Sequence, residues 1–279
     1  MALVIKNTRD LIDPKNLKLK ILLVSQPGFG KTTFLAKAPN PLIAACETGH
    51  GKGLMSIAGK GIDYIPLDNY NDFEAFCSGT VGKDKETFGL DSLSDMVRTF
   101  IKDKALSLPR QKGESQKRAM GVPELDDYGV MGELTRKLTR KLLDQDKHIV
   151  ATSGLRIQTP DEDSPSFGQQ GTLIGPDLAG AMFLGSTAMF DIVLIGRTRS
   201  ALRDIRDPKS RYNQRYWLTE PSGGFLAKNR LSVAEKGGSF LPSELVYDLD
   251  TNSGTFEDIY NRAVTAYAQY VEEHSAKGI

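Results

Sequence analysis

Cysteine is scarce in this chain: 279 residues contain only Cys46 and Cys77. They stand apart with no metal-ligand spacing, and they read as buried, reduced thiols of a cytosolic protein. Excess charge of one sign is also missing. With 36 Lys and Arg against 35 Asp and Glu, the net charge is +1, so any affinity for nucleic acid has to come from a local patch. No stretch approaches the roughly 18 consecutive apolar residues of a membrane-spanning helix. The apolar run in Met1–Asp10 is too short for a signal peptide, which points to the cytoplasm. Internal repeats and low-complexity tracts are absent. What remains, 39% hydrophobic and 25% charged residues, is the composition of a soluble globular protein, and the whole chain is read as one domain.

The most informative stretch is Val24-Ser25-Gln26-Pro27-Gly28-Phe29-Gly30-Lys31-Thr32-Thr33. It follows the apolar run Ile21–Val24 and precedes Phe34-Leu35-Ala36-Lys37. Strand, glycine-rich loop and helix in that order form the context of a phosphate-binding loop, whose backbone N–H groups and helix N-terminus converge on one point. Gly28 and Gly30, lacking Cβ, allow close backbone approach and positive φ. Lys31 is placed to reach the β and γ phosphates of ATP, and the Thr32 hydroxyl to bind Mg²⁺. Ser25 stands where the usual pattern G-x-x-x-x-G-K-[ST] has its first Gly.

Strand and helix signals alternate along the rest of the chain. Strands are expected at 18–24, 42–46, 64–67, 148–153, 190–195 and 215–218. Helices are expected at 31–38, 71–77, 93–106, from Asp126 or Asp127 to about 145, and at 256–274. Met131, Leu134, Leu138 and Leu142 recur at helical spacing. Two long polar loops, 107–124 and 156–176, interrupt the pattern. The alternation predicts an α/β fold with a mostly parallel central sheet covered on both faces and a more antiparallel C-terminal third.

Hydrolysis of ATP requires more than a phosphate loop. Asp91 ends an apolar stretch, and it reads either as the carboxylate behind Mg²⁺ or as a helix N-cap. Glu47, just past 42–46, reads as the base that activates water or as an exposed loop acid. Thr152 and Ser153, at the end of 148–153, are either γ-phosphate sensors or ordinary strand-end residues. His50 receives no role.

With these pieces in order, the chain resembles the RecA-like P-loop ATPases, and in particular their compact phage form, which includes the Sak-type single-strand annealing ATPases. The residues that carry the resemblance are Ser25–Thr33, Ala45-Cys46-Glu47-Thr48-Gly49, Leu90-Asp91-Ser92-Leu93 and Thr152-Ser153-Gly154-Leu155-Arg156. Pro176–Gly180 and Ala227-Lys228-Asn229-Arg230 fit as well, so that the similarity spans about residues 18–265. The resemblance implies a Mg²⁺-dependent ATPase that assembles into homo-oligomers and acts on single-stranded DNA in recombination or annealing, alongside a phage or host single-strand binding protein. It implies that Lys228 and Arg230 reach the ATP of a neighbouring subunit, whereas the residues alone also fit a solvated basic loop or a DNA contact. It makes the two long loops candidate DNA contacts, the first through Arg110, Lys112, Lys117 and Arg118, the second through Arg156, Phe167, Gln169 and Gln170, although Asp161-Glu162-Asp163 makes the second acidic at its start. A basic hairpin with Arg197, Arg199, Arg203, Arg206, Lys209, Arg211 and Arg215 is a third, equally readable as a subunit contact. A ring-forming helicase or helicase loader, a small-molecule kinase and a non-hydrolysing ATP-dependent scaffold remain the rival readings.

Overall fold

The computed structural model describes residues 13, 16–47, 51–109, 121–159, 171–204, 206–231 and 239–276. Its centre is β1 (Lys20–Val24), whose last four residues are all buried. An unbroken apolar run has no polar face to turn to water, so both faces of the strand must be covered. Period two then sends Leu22 and Val24 into one core layer and Ile21 and Leu23 into the other.

On one side of β1 lies β5 (His148–Ser153), then β4 (Thr87–Asp91), β2 (Pro41–Ala45) and β3 (Asp63–Pro66), all parallel. On the other side lies β8 (Ile192–Leu202), also parallel to β1. The antiparallel β9 (Arg211–Leu218) pairs with the outer edge of β8, and β11 (Glu244–Tyr247) pairs with β9. The two-residue β10 (Lys228–Asn229) runs antiparallel to β8 at Ile192 and Val193. The result is a nine-stranded, mostly parallel sheet with an antiparallel C-terminal edge, as the sequence predicts.

One face carries α2 (Tyr70–Cys77), α3 (Leu93–Met96) continuing through a π-helical turn at Val97–Ile101 into α4 (Lys102–Ser107), α5 (Leu125–Leu143) and α6 (Ala181–Met189). The opposite face carries α1 (Lys31–Leu35) and α7 (Phe256–Ala276), with Phe34, Trp217, Tyr247, Phe256, Ile259, Ala263 and Tyr267 buried in its core. Gly89 is required where α1 meets β4. A Cβ there would stand 2.6 Å from both terminal methyls of Leu35, which is fully buried and has nowhere to retreat.

Several expectations need correction. The first helix stops at Leu35, not 38: Lys37 N–H and Ala38 N–H each bond three residues back, and the residue before Pro39 is disfavoured in a helix. The helix opening near Asp126 starts at Leu125 with Glu124 as its cap, and Asp127 reaches back to accept from the Glu124 N–H at 2.9 Å. The segment 156–176 is not wholly a loop. Its ends form an antiparallel pair, β6 (Leu155–Gln158) with β7 (Leu173–Pro176). β8 is longer than expected by its polar half, 196–202. The candidate DNA residues Arg110, Lys112, Lys117, Arg118, Phe167, Gln169 and Gln170, and also His50, lie outside the described residues.

Candidate active site

The parallel strands end level with one another. Val24 pairs with Ser153, and Ala45 with Asp91, so the residues just after β1, β2, β4 and β5 meet above one edge of the sheet. A cleft of about 630 Å³ opens there, lined by the loop 26–33, Glu47, Asp91, Asp95, Arg98, Asp177 and Arg215 among others.

The loop has the backbone its glycines were read to permit. Gly28 has φ 76° and Gly30 φ 109°, a region that suits glycine. Ser25 does not fall in that region: among the described residues only Asn40 and Asn252 are non-glycines with positive φ. A Gly is therefore not required at position 25. Instead Ser25 is fully buried and its N–H donates to Ser153 O at 3.3 Å. Gly196 of β8 makes room for this seat, because a Cβ there would stand 2.8 Å from Ser25 Cβ and from the Phe29 ring. Phe29 anchors the loop from below, 4.6 Å from Trp217 and stacked on Tyr247 at 5.6 Å between ring centres. Tyr247 Oη also donates to Gly30 O at 2.9 Å.

Lys31 folds back over the loop. Its ammonium donates to Ser25 O at 2.9 Å and Gln26 O at 3.2 Å. Burial pulls its pKa below the usual lysine value, opposed by the carboxylates of Asp91, Glu47 and Asp95. Asp91, only 8% exposed, accepts from two hydroxyls: Thr32 Oγ1 at 2.8 Å on one oxygen and Thr152 Oγ1 at 2.5 Å on the other. It is not the helix cap. The following residue, Ser92, takes that role, accepting from Asp95 N–H at 3.2 Å, across a cis Asp91–Ser92 peptide.

Glu47 stands two residues past the end of β2, on the cleft wall. Its carboxylate lies directly over Gly53, where a Cβ would collide with it. Burial raises its pKa first, the negative charges of Asp91 and Asp95 raise it further, and Lys31 opposes them. A carboxylate made more basic in this way suits proton acceptance from water.

Ser153 turns away from the nucleotide loop: its hydroxyl meets Ser94 Oγ at 2.9 Å and accepts from Asp177 N–H at 3.1 Å. Asp177 in turn pairs with Arg98. This links the end of β5 to the β6–β7 hairpin. Lys228 and Arg230 lie elsewhere. β10 pairs with the first residues of β8, at the opposite end of the sheet from the loop. There Lys228 Nζ donates to Thr187 O at 2.9 Å and Arg230 Nη2 to Ala188 O at 2.7 Å, satisfying the last carbonyls of α6. Within one subunit they do not reach the cleft.

The sequence reading missed Asp95, Arg98, Asp177 and Arg215 as cleft residues. Asp95 and Arg98 follow Asp91 by four and seven residues on the helical segment that Ser92 caps, a spacing legible in the sequence; Asp177 and Arg215 arrive from more distant elements.

These residues fit a nucleoside triphosphate with Mg²⁺. The positive-φ glycines leave the loop open above Gly28, where an added Cβ meets nothing within 4 Å. Among the described residues no group of three His, Cys, Asp or Glu forms a metal cluster. A divalent ion beside Thr32 and Asp91 would thus depend on phosphate oxygens and water, as Mg²⁺ sites in nucleotide enzymes do.

Residues 17–231 match the model of a protein family described as an AAA domain. No curated protein matches the chain. Among solved structures it is similar to the flagellar accessory protein FlaH from Methanocaldococcus jannaschii, at 12% identity over 88% of this chain and 93% of that one, with a TM-score of 0.41. It is also similar to the RadB recombinase, at 9% identity over 72% and 87% of the two chains, with a TM-score of 0.31. No described helix is long and apolar enough to cross a membrane.

Proposed function

The chain belongs to this AAA-domain family, and from that premise we propose that it is a RecA-like, Mg²⁺-dependent ATPase acting on single-stranded DNA in phage recombination or annealing. The observation that carries the ATPase reading is the meeting of Thr32 and Thr152 on the Asp91 carboxylate, in the cleft that Lys31 also lines, beside a positive-φ glycine loop. In this reading Lys31 and the loop N–H groups hold phosphate, and Thr32 and Asp91 hold the Mg²⁺ shell. Mg²⁺ would supply neutralisation of charge between the β and γ phosphates. Glu47 orients water and takes its proton, and Thr152 fixes the orientation of the Asp91 carboxylate.

The DNA reading is supported by the β8–β9 hairpin. Its strands run past the level of the phosphate loop and carry guanidinium groups laid on aromatic rings: Arg197 on Phe225 at 4.6 Å, Arg199 on Tyr216 at 4.7 Å and Arg203 on Tyr212 at 5.5 Å. Such a surface offers charge to a phosphate backbone and flat faces to bases. Lys228 and Arg230, at the far end of the sheet from the loop, complete a neighbour's site if subunits stack head to tail. Phosphate release from ATP with Mg²⁺, with and without single-stranded DNA and over a range of protein concentrations, tests all of this. The expected rate rises with DNA and steeply with protein. A rate indifferent to both overturns the DNA-coupled, assembled reading, and no release at all overturns the ATPase.

A further inference from the structure

Arg215 is the cleft residue with no assigned task. It sits on β9, in register with Thr198 of β8 and Tyr247 of β11. The β8–β9 register places it three residues beyond the Ile195–Leu218 pair, and Ile195 is level with Val24, the last residue before the phosphate loop. Arg215 therefore overhangs the loop. Period two puts it on the same face as Trp217, the ring that backs Phe29 and Phe34, and on the face opposite Tyr216, where Arg199 stacks. Its Nη1 stands 3.5 Å from where a Cβ on Gly30 would be.

Arg197, Arg199 and Arg203 of the hairpin are occupied. Arg199 bonds Gln214 at 2.8 Å and Glu244 at 2.5 Å and covers Tyr216, while Arg197 and Arg203 lie on rings. The Arg215 side chain, among the described residues, has neither a carboxylate partner nor a hydrogen bond, although it lines the cleft. Exposed beside the phosphate loop with no counter-charge, this guanidinium is available to an anion that arrives from outside.

Which part of the anion follows from the sheet order. Asp91 and Thr152 stand on β4 and β5 and Glu47 just past the end of β2, all on one flank of β1, whereas β8 and β9 lie on the other. The γ-phosphate belongs with the carboxylates and the water. The α-phosphate and nucleoside then leave the loop on the Arg215 flank.

Building on the ATP-site reading above, we propose that Arg215 is a nucleotide-binding residue that contacts the α-phosphate in cis, and so recognises nucleoside di- and triphosphates alike. Nothing else on that flank of the cleft carries an unpaired positive charge among the described residues.

The experiment is the affinity of the full chain for ATP and for ADP, each with Mg²⁺, in the wild type and in Arg215→Gln, Arg215→Lys and Lys31→Ala, with thermal melts to show that each variant is folded. A charge-assisted hydrogen bond is worth about 1.5–3 kcal/mol, or roughly 10- to 150-fold in affinity. Arg215→Gln is expected to weaken ATP and ADP by the same factor within that range, with Arg215→Lys recovering most of the loss. Loss confined to ATP puts Arg215 at the γ-phosphate and overturns the α-phosphate contact. Unchanged affinity for both nucleotides in Arg215→Gln, while Lys31→Ala binds weakly, overturns the role of Arg215 and leaves the ATP site standing. Unchanged affinity in Lys31→Ala as well overturns the site and this inference together.

Discussion

Thr32 Oγ1 donates to Asp91 Oδ2 across 2.8 Å, joining the first turn of α1 to the end of β4. The same carboxylate accepts from Thr152 on its other oxygen, so three elements are fixed by one side chain. Asp91→Asn replaces one acceptor by an amide donor facing a hydroxyl, and it removes the charge behind Mg²⁺. Phosphate release is expected to fall at least about 100-fold, in the range of losing one preorganised electrostatic group. Nucleotide affinity measured without divalent cation should change little. Turnover at the wild-type level would remove Asp91 from the metal role.

Glu47 separates binding from chemistry. Glu47→Gln keeps the shape over Gly53 but cannot take a proton, so ATP affinity should persist while turnover falls about 100- to 10,000-fold, the usual contribution of a general base. The pH profile carries a further sign. Because burial and the neighbouring carboxylates raise the Glu47 pKa, activity requiring its charged form is lost as pH falls through that raised value, sooner than an ordinary glutamate would allow. An activity profile flat through the weakly acidic range contradicts the assignment.

The fold's sensitivity to acid should centre on His148. This ring is buried against Phe256 and Tyr260, with Nδ1 accepting from Leu19 N–H at 3.1 Å. Burial first, then Lys18 and Lys20, push its pKa down to about 4 from 6.5. A histidine bound neutral in the fold is protonated more readily when unfolded. Stability is therefore full above about pH 6.5 and declines as pH falls from there towards 4. The loss amounts to about 3 kcal/mol at most, from the shift of the pKa. Denaturant titrations at stepped pH measure it, and His148→Gln should flatten the curve.

How far the sequence reached is instructive at single residues. Ser25–Thr33, Glu47 and Asp91 were legible because a strand end followed by a loop is a local pattern, and parallel strands bring such ends together. The hairpin that carries Arg215 was expected, but the entry of Arg215 and Asp177 into the cleft depends on where β9 and the end of β7 sit beside the loop, which no local pattern encodes. The polar loop expected at 156–176 concealed β6 and β7 for a different reason: edge pairs exposed to water, such as Leu155–Gln158 with its exposed Arg156 and Ile157, lack the apolar alternation that marks a half-buried strand.

Gly196 tests how rigidly the loop is seated. A Cβ there meets Ser25 Cβ and the buried Phe29 ring at 2.8 Å, neither of which is a free chain end. Gly196→Ala is expected to cost about 1–3 kcal/mol by overpacking and to weaken nucleotide binding by displacing the loop. Gly28→Ala lacks the steric clash but has φ 76°, so it should instead strain the backbone by about 1 kcal/mol. Equal nucleotide affinity in Gly196→Ala and the wild type would show that β8 does not set the loop position.

Lys228 and Arg230 decide whether one subunit completes another's site. Both are engaged at the C-terminal end of α6, and burial together with Arg230 lowers the Lys228 pKa to about 8. Each alanine variant thus combines loss of a helix cap with any loss in trans, and activity of a single variant cannot separate the two. A mixture can. Lys31→Ala subunits have a broken phosphate loop but an intact Lys228; Lys228→Ala subunits have the reverse. If Lys228 acts in trans, mixing two nearly inactive preparations juxtaposes an intact loop with an intact Lys228 at a fraction of the interfaces, about one quarter in a random equimolar assembly. Phosphate release should then exceed the sum of the separate rates, and do so only at concentrations that allow assembly. A purely structural Lys228 predicts a mixture no better than that sum at every concentration, because no neighbour repairs a lost cap.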